Sequence, residues 1–196
     1  MISSKEDLAA SAREVGTLLQ EIQDYLGSRS DDSGKVSFPK GFIRSRNSIA
    51  STLPVTKSPK HRHALSKNIC YTLIEADVLK WLLTRTHLGL VAKPMVIKEV
   101  MCLLGDVCDS LMVDALYRKH GPKKSYKQRT KKLSELGIIT AELHEALDWL
   151  WDQRSRVHLW QLGESEYDHD RYGDAQYERA HRTYEQLIAA LKASDN

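Results

Sequence analysis

From Ile97 to Ala115 the apolar residues return every three or four positions: Ile97, Val100, Leu104, Val107, Leu111 and Ala115. A step of about 100° per residue puts them on one side of a helix, a spacing that no strand can use. The spacing predicts a helix over Ala92–Lys119, with Pro94 in its first turn and Gly121-Pro122 as its stop. The same period recurs in four other stretches. Lys5–Leu26 carries Leu8, Val15, Leu18, Leu19, Ile22 and Leu26, with Ser4 and Asp7 as a capping signature. Residues 66–86 carry Ile69, Leu73, Ala76, Leu79 and Leu83, with Glu75 and Asp77 as the polar side. Ala141–Leu162 carries Leu143, Leu147, Leu150 and Val157 behind a Thr140 cap. Residues 175–192 carry Tyr177, Ala180, Tyr184, Leu187 and Leu191. A shorter helix, Tyr126–Leu136, ends on Gly137, a natural site for a left-handed residue.

No strand signal competes with these helices, and no repeat is present. The expected fold is therefore an all-α bundle of about four main helices, preceded by an N-terminal helix and an irregular basic arm. Residues 1–65 form the N-terminal part and 66–196 the bundle. Within the arm, Pro39, Pro54 and Pro59 favour irregular chain, with short extended pieces around Val36–Phe38 and Ile49–Leu53.

A length of 196 residues is ample for a buried core, and 41% apolar with 28% charged residues is ordinary for a soluble protein. The three cysteines, Cys70, Cys102 and Cys108, fall in apolar-periodic segments without paired spacing, which argues against a disulfide framework and for buried thiols in a reducing cytosol. The polar start MISSKEDLAAS lacks a signal core, and no apolar run approaches the length of about 20 residues a bilayer requires. The expectation is a cytoplasmic protein with no membrane association.

Net charge is only +3, yet it is unevenly distributed. Ser33–Lys67 holds eight Lys or Arg and no acid, Arg118–Lys132 holds eight more, and Glu164–Glu178 holds six acids against one Arg. Such basic blocks fit a polyanion-facing surface, and they fit solvated helix faces equally well. Within the second block Lys119, Lys123, Lys124, Lys127, Arg129, Lys131 and Lys132 are the candidate phosphate contacts.

One position breaks the pattern. Arg154 falls in the middle of the stripe Leu143, Leu147, Leu150 and Val157, with His158 one turn further on. A desolvated guanidinium needs a partner, so a cleft, an interface or an ion pair must lie there. An i, i+4 Arg and His can address one group, and a phosphodiester suits both: planar permanent donors from Arg, a proton exchanged near neutrality by His. The competing arrangement pairs Arg154 with an acid of a neighbouring helix and His158 with a carbonyl. The segment LGIITAELHEALDWLWDQRSRVHL resembles the signature helix of the HEPN superfamily, helical bundles of ribonuclease toxins and prokaryotic defence proteins. The resemblance spans about Ser66–Leu191 and carries a variant motif, with three residues between Arg and His and Ser155 as the polar follower. It implies a homodimer through the Arg154 helix, a metal-independent RNase site cutting by transesterification at Arg154, Ser155 and His158, RNA as partner and a cognate antitoxin. No cofactor is implied.

The remaining candidates point elsewhere. His61-X-His63 sits among cations that oppose a metal, and Asp168-His169-Asp170 reads as a polar loop. Asp106, Asp109 and Asp114 are expected to face solvent. Trp149, Trp151 and Trp160 on the motif helix suit either stacked bases or aromatic anchors at a subunit interface.

Overall fold

The computed structural model describes residues 1–54, 59–120, 125–157 and 171–194, and every regular element in them is helical. They form α1 (Lys5–Leu26), α2 (Arg46–Thr52), α3 (Pro59–Arg85), α4 (Ala92–His120), α5 (Tyr126–Glu135), α6 (Ala141–Arg154) and α7 (Asp174–Ser194). Two 3₁₀ turns, Asp32–Gly34 and Ser155–Val157, complete the set. The expected all-α bundle is what forms.

Local chemistry sets the ends. Ser4 Oγ accepts the Asp7 N–H at 3.0 Å to open α1. Thr140 Oγ1 accepts the Leu143 N–H at 3.2 Å to open α6. At the end of α5 the Ile138 N–H donates to Leu133 O (3.0 Å) and the Gly137 N–H to Ser134 O (2.9 Å). This double closure requires a left-handed residue, and Gly137 supplies it at φ 68°.

The chain divides into two compact units, Met1–Lys40 and Gly41–Asn196. In the first, α1 buries no residue. In the second, α4 is the central helix, packed on α3, α5, α6 and α7. Its predicted stripe is buried except at Ala115, which is exposed while Leu116 turns inward. Met101, Cys102, Cys108 and Met112 are buried as well, so α4 is covered on more than one side. Complete burial of one such aliphatic side chain contributes about 1.5–3 kcal/mol.

Several expectations change. The Ile49–Leu53 segment is not extended: Ser45 Oγ accepts the Ser48 N–H at 3.1 Å, a helix follows, and Ile49 and Leu53 enter the core. Burial of one apolar face outweighs the strand preference of an isoleucine. The arm from Gly41 on thus belongs to the bundle, and α3 begins at Pro59 rather than Ser66. Val36–Phe38 forms no strand. Finally, α6 stops at Arg154 rather than running to Leu162. The Ser155 hydroxyl donates back to Trp151 O at 2.9 Å, and the chain tightens into the 3₁₀ turn.

Candidate functional site

Arg154 is the last residue of α6, and it lies against α4 where α4 has no side chain. A Cβ on Gly105 would sit 3.2 Å from Arg154 Cβ and 3.4 Å from Cγ. That bare stretch lets the arginine stem cross α4 and place its head beside Asp106. Arg154 Nε donates to Asp106 Oδ1 at 2.8 Å. The guanidinium carbon lies 4.9 Å from the centre of the Trp151 ring, one turn back on the same helix. Trp151 in turn stacks on Tyr126 of α5, with ring centres 4.3 Å apart and planes 12° from parallel.

The pair is not dry. The Arg154 side chain is 29% exposed and that of Asp106 is 50% exposed. Among the described residues none accepts a hydrogen bond from either Nη of Arg154. The carboxylate and the indole thus fix the head while leaving its outer edge able to take an acceptor. Ser155 is adjacent, but its hydroxyl is engaged by Trp151 O. His158 lies outside the described residues, as do Trp160 and the Asp168-His169-Asp170 run.

The basic block is largely compensated where it is described. Arg129 is buried and ion-paired with Asp109, its Nε reaching Oδ1 at 3.1 Å. Lys127 Nζ lies 2.7 Å from Asp152 Oδ1, which raises its pKa. Lys132 reaches Glu135 at 3.3 Å, and Lys131 is exposed. The side chains of Lys119, Lys123 and Lys124 lie outside the described residues. Asp106 faces solvent as expected while also holding Arg154, whereas Asp109 is only partly exposed and pairs with Arg129, and Asp114 is half-buried. The described tryptophans of the motif helix tie elements of one chain together. Trp149 lies under the Arg179 guanidinium of α7 at 4.1 Å, and Trp151 is stacked on α5.

A second polar centre sits between the start of the bundle, α3 and α7. Asp77, only 7% exposed, is clasped by Arg44. The Arg44 backbone N–H reaches Oδ2 at 3.0 Å, Nε reaches Oδ2 at 2.9 Å and Nη2 reaches Oδ1 at 2.8 Å. Hydrogen bonding to Asp77 raises the Arg44 pKa. On α7, Tyr177 and His181 meet edge to face at 4.8 Å. Burial pushes the Tyr177 and Tyr184 hydroxyls up to about 12 and lowers the His181 pKa. Tyr177 Oη and His181 Nε2 find no hydrogen-bond partner among the described residues.

Sequence reasoning missed this centre, although the signal is the one that exposes Arg154. Asp77 follows Leu73 by four residues and Ile69 by eight, so it lies on the apolar stripe rather than the polar side. His181 follows Tyr177 by four in the same way. Among the described residues no three His, Cys, Asp or Glu side chains converge as a metal site. None of the described helices is long and apolar enough to cross a membrane. Comparison with protein-family models, curated protein sequences and solved structures returns no match.

Proposed function

We propose that this chain is a HEPN-like, RNA-acting protein whose Arg154 is a phosphate ligand. The observation that supports this reading is the half-engaged guanidinium. Asp106 takes Nε, Trp151 supports the plane, and the two Nη groups have no acceptor among the described residues. A planar cation held this way presents two parallel donors to a phosphate, or to the extra charge of a phosphorane.

In the catalytic form the ribose 2′-oxygen attacks the adjacent phosphorus. His158 takes the 2′-hydroxyl proton or delivers one to the leaving 5′-oxygen, and Arg154 stabilises the phosphorane. The P–O5′ bond breaks, leaving a 2′,3′-cyclic phosphate and a 5′-hydroxyl. The reaction needs no metal. Ser155 contributes through the helix end that positions Arg154. The working unit is a homodimer meeting through the Arg154 helix in the cytoplasm. A toxin–antitoxin or defence system with a cognate antitoxin is its setting.

The second reading is a non-catalytic RNA-binding or protein-interaction module. The Arg154–Asp106 pair favours it, because an arginine already holding a carboxylate of its own chain can serve structure alone. So does the buried Arg129–Asp109 pair, which takes one cation out of the basic block.

Purified protein incubated with RNA in EDTA separates the two. The catalytic reading expects cleavage with cyclic phosphate ends, lost in both His158→Ala and Arg154→Ala while circular dichroism is unchanged. Arg154→Ala cutting as fast as the parent removes it. Salt-sensitive binding without cleavage establishes the module instead.

A further inference from the structure

Helix α1 carries an apolar face that its own unit leaves largely uncovered. Leu8, Val15, Leu18 and Leu19 are 55%, 54%, 50% and 47% exposed, and Tyr25 is exposed as well. Ile22 and Leu26 are half-covered, Leu26 by the turn at Gly34. The spacing along the helix is regular: Leu8, Ala12, Val15, Leu19, Ile22 and Leu26 alternate steps of four and three. That is the seam of a coiled coil over about three heptads. Positions beside the seam are Ala9, Ser11, Gly16, Leu18, Gln23 and Tyr25, none of them charged.

The order of sizes along this seam is what selects its occupant. Laid against itself antiparallel, with the two-fold at Thr17, the helix pairs Leu8 with Leu26, Ala12 with Ile22 and Val15 with Leu19. Small meets large at the one position where small occurs. On one flank Leu18 meets its own copy across the axis. On the other Gly16 meets Gly16, where the lack of Cβ atoms lets the backbones close. A parallel pairing would set Ala12 against Ala12 and leave a gap in the seam. It would also align the two helix dipoles and bring Glu6 and Asp7 of both copies together. The outer face of α1 carries Glu6, Asp7, Glu14, Glu21 and Asp24 against Lys5 and Arg13, which suits neither an anionic lipid surface nor a nucleic acid.

We infer that α1 is a self-association helix, which pairs antiparallel with α1 of a second copy of this chain. A seam this short, with one Ala and one flanking Gly, gives a weak, concentration-dependent dimer. This interface is separate from any contact through the Arg154 helix and does not depend on the RNA reading.

The test uses the full chain. In an antiparallel pair the two Leu18 positions lie about 3 Å apart along the axis, and the two Leu8 positions about 27 Å apart. Each is changed singly to cysteine and treated with a short bismaleimide. Cys70, Cys102 and Cys108 are buried, and burial lifts the Cys102 thiol to about 11, so the native thiols stay silent. The expected result is a covalent dimer for Leu18→Cys and none for Leu8→Cys. Sedimentation of the parent should show a concentration-dependent dimer, weakened about tenfold or more by Leu19→Glu, since each copy would bury a charge in the seam. Because α1 buries no residue, these changes leave the bundle folded. The inference is overturned by Leu8→Cys cross-linking, by no cross-link at Leu18→Cys, by a monomeric parent, or by a dimer indifferent to Leu19→Glu.

Discussion

His181 holds an imidazole where charge is opposed. Desolvation is the largest influence, and Lys80 and Arg44 add to it. Glu185 and Asp77 pull the other way without prevailing, so the folded pKa lies below the ordinary value of 6.5. The sign of the pH effect follows. Above 6.5 the ring is neutral folded and unfolded, and costs nothing. As pH falls below 6.5 the unfolded chain binds the proton first, and stability drops until the folded pKa is reached. The slope contributed by this one group is at most about 1.4 kcal/mol per pH unit. His181→Phe keeps a ring against Tyr177 and removes the proton. Urea midpoints between pH 7.5 and 5 should therefore fall more steeply for the parent than for this variant. Parallel curves would show that His181 does not titrate differently on folding. Asp77 shows the other solution to the same problem, since its charge is kept and three donors from Arg44 surround it.

At the scale of elements, the crossing of α6 over α4 depends on a missing side chain. Gly105 sits in the middle of a long helix, where glycine costs about 1 kcal/mol relative to alanine. It is tolerated because Arg154 occupies the space a Cβ would need. Gly105→Leu should destabilise the protein by about 1–3 kcal/mol through overpacking, and should release Arg154 from Asp106. Urea unfolding reads the first effect, and a parent-like midpoint would refute it. The sequence makes the helices legible because their signal is local. Apolar period, the caps at Ser4 and Thr140 and the glycine at Gly137 all lie within a few residues of what they control. Gly105 is silent for the opposite reason. Its role depends on a residue 49 positions later, across a helix pair whose angle the sequence does not state. The α6 end at Arg154 is obscured because Val157 continues the stripe past the point where the chain tightens into the 3₁₀ turn Ser155–Val157. The Arg154 anomaly was visible from periodicity, but its partner Asp106 was hidden among acids that a helical wheel assigns to solvent.

For the whole molecule, the division of the chain decides which parts are needed for folding. Every buried hydrophobic residue of the core lies at or beyond Ile49, and the first unit contributes none. A chain of residues 41–196 should therefore unfold at the same urea midpoint as the full protein, within about 0.5 kcal/mol. The comparison belongs at low protein concentration, because a dimer held by α1 would add stability by mass action. A chain of residues 66–196, cut where the basic arm gives way to the clear helical period, should behave differently. It lacks Ile49 and Leu53 from the core and the first turns of α3, and it lacks Arg44, so the Asp77 carboxylate loses the cation that clasps it. Loss of the apolar side chains costs several kcal/mol, and rupture of an ion pair whose arginine is 39% exposed adds a smaller amount, together roughly 5 kcal/mol. A deficit of that size equals the whole stability of many domains, about 5–15 kcal/mol, so this fragment should be largely unfolded at 25 °C. Restoring residues 41–65 should restore the cooperative transition. If instead the 66–196 fragment melts like the parent, the arm contributes nothing to the core, and the Arg44–Asp77 clasp is a surface decoration.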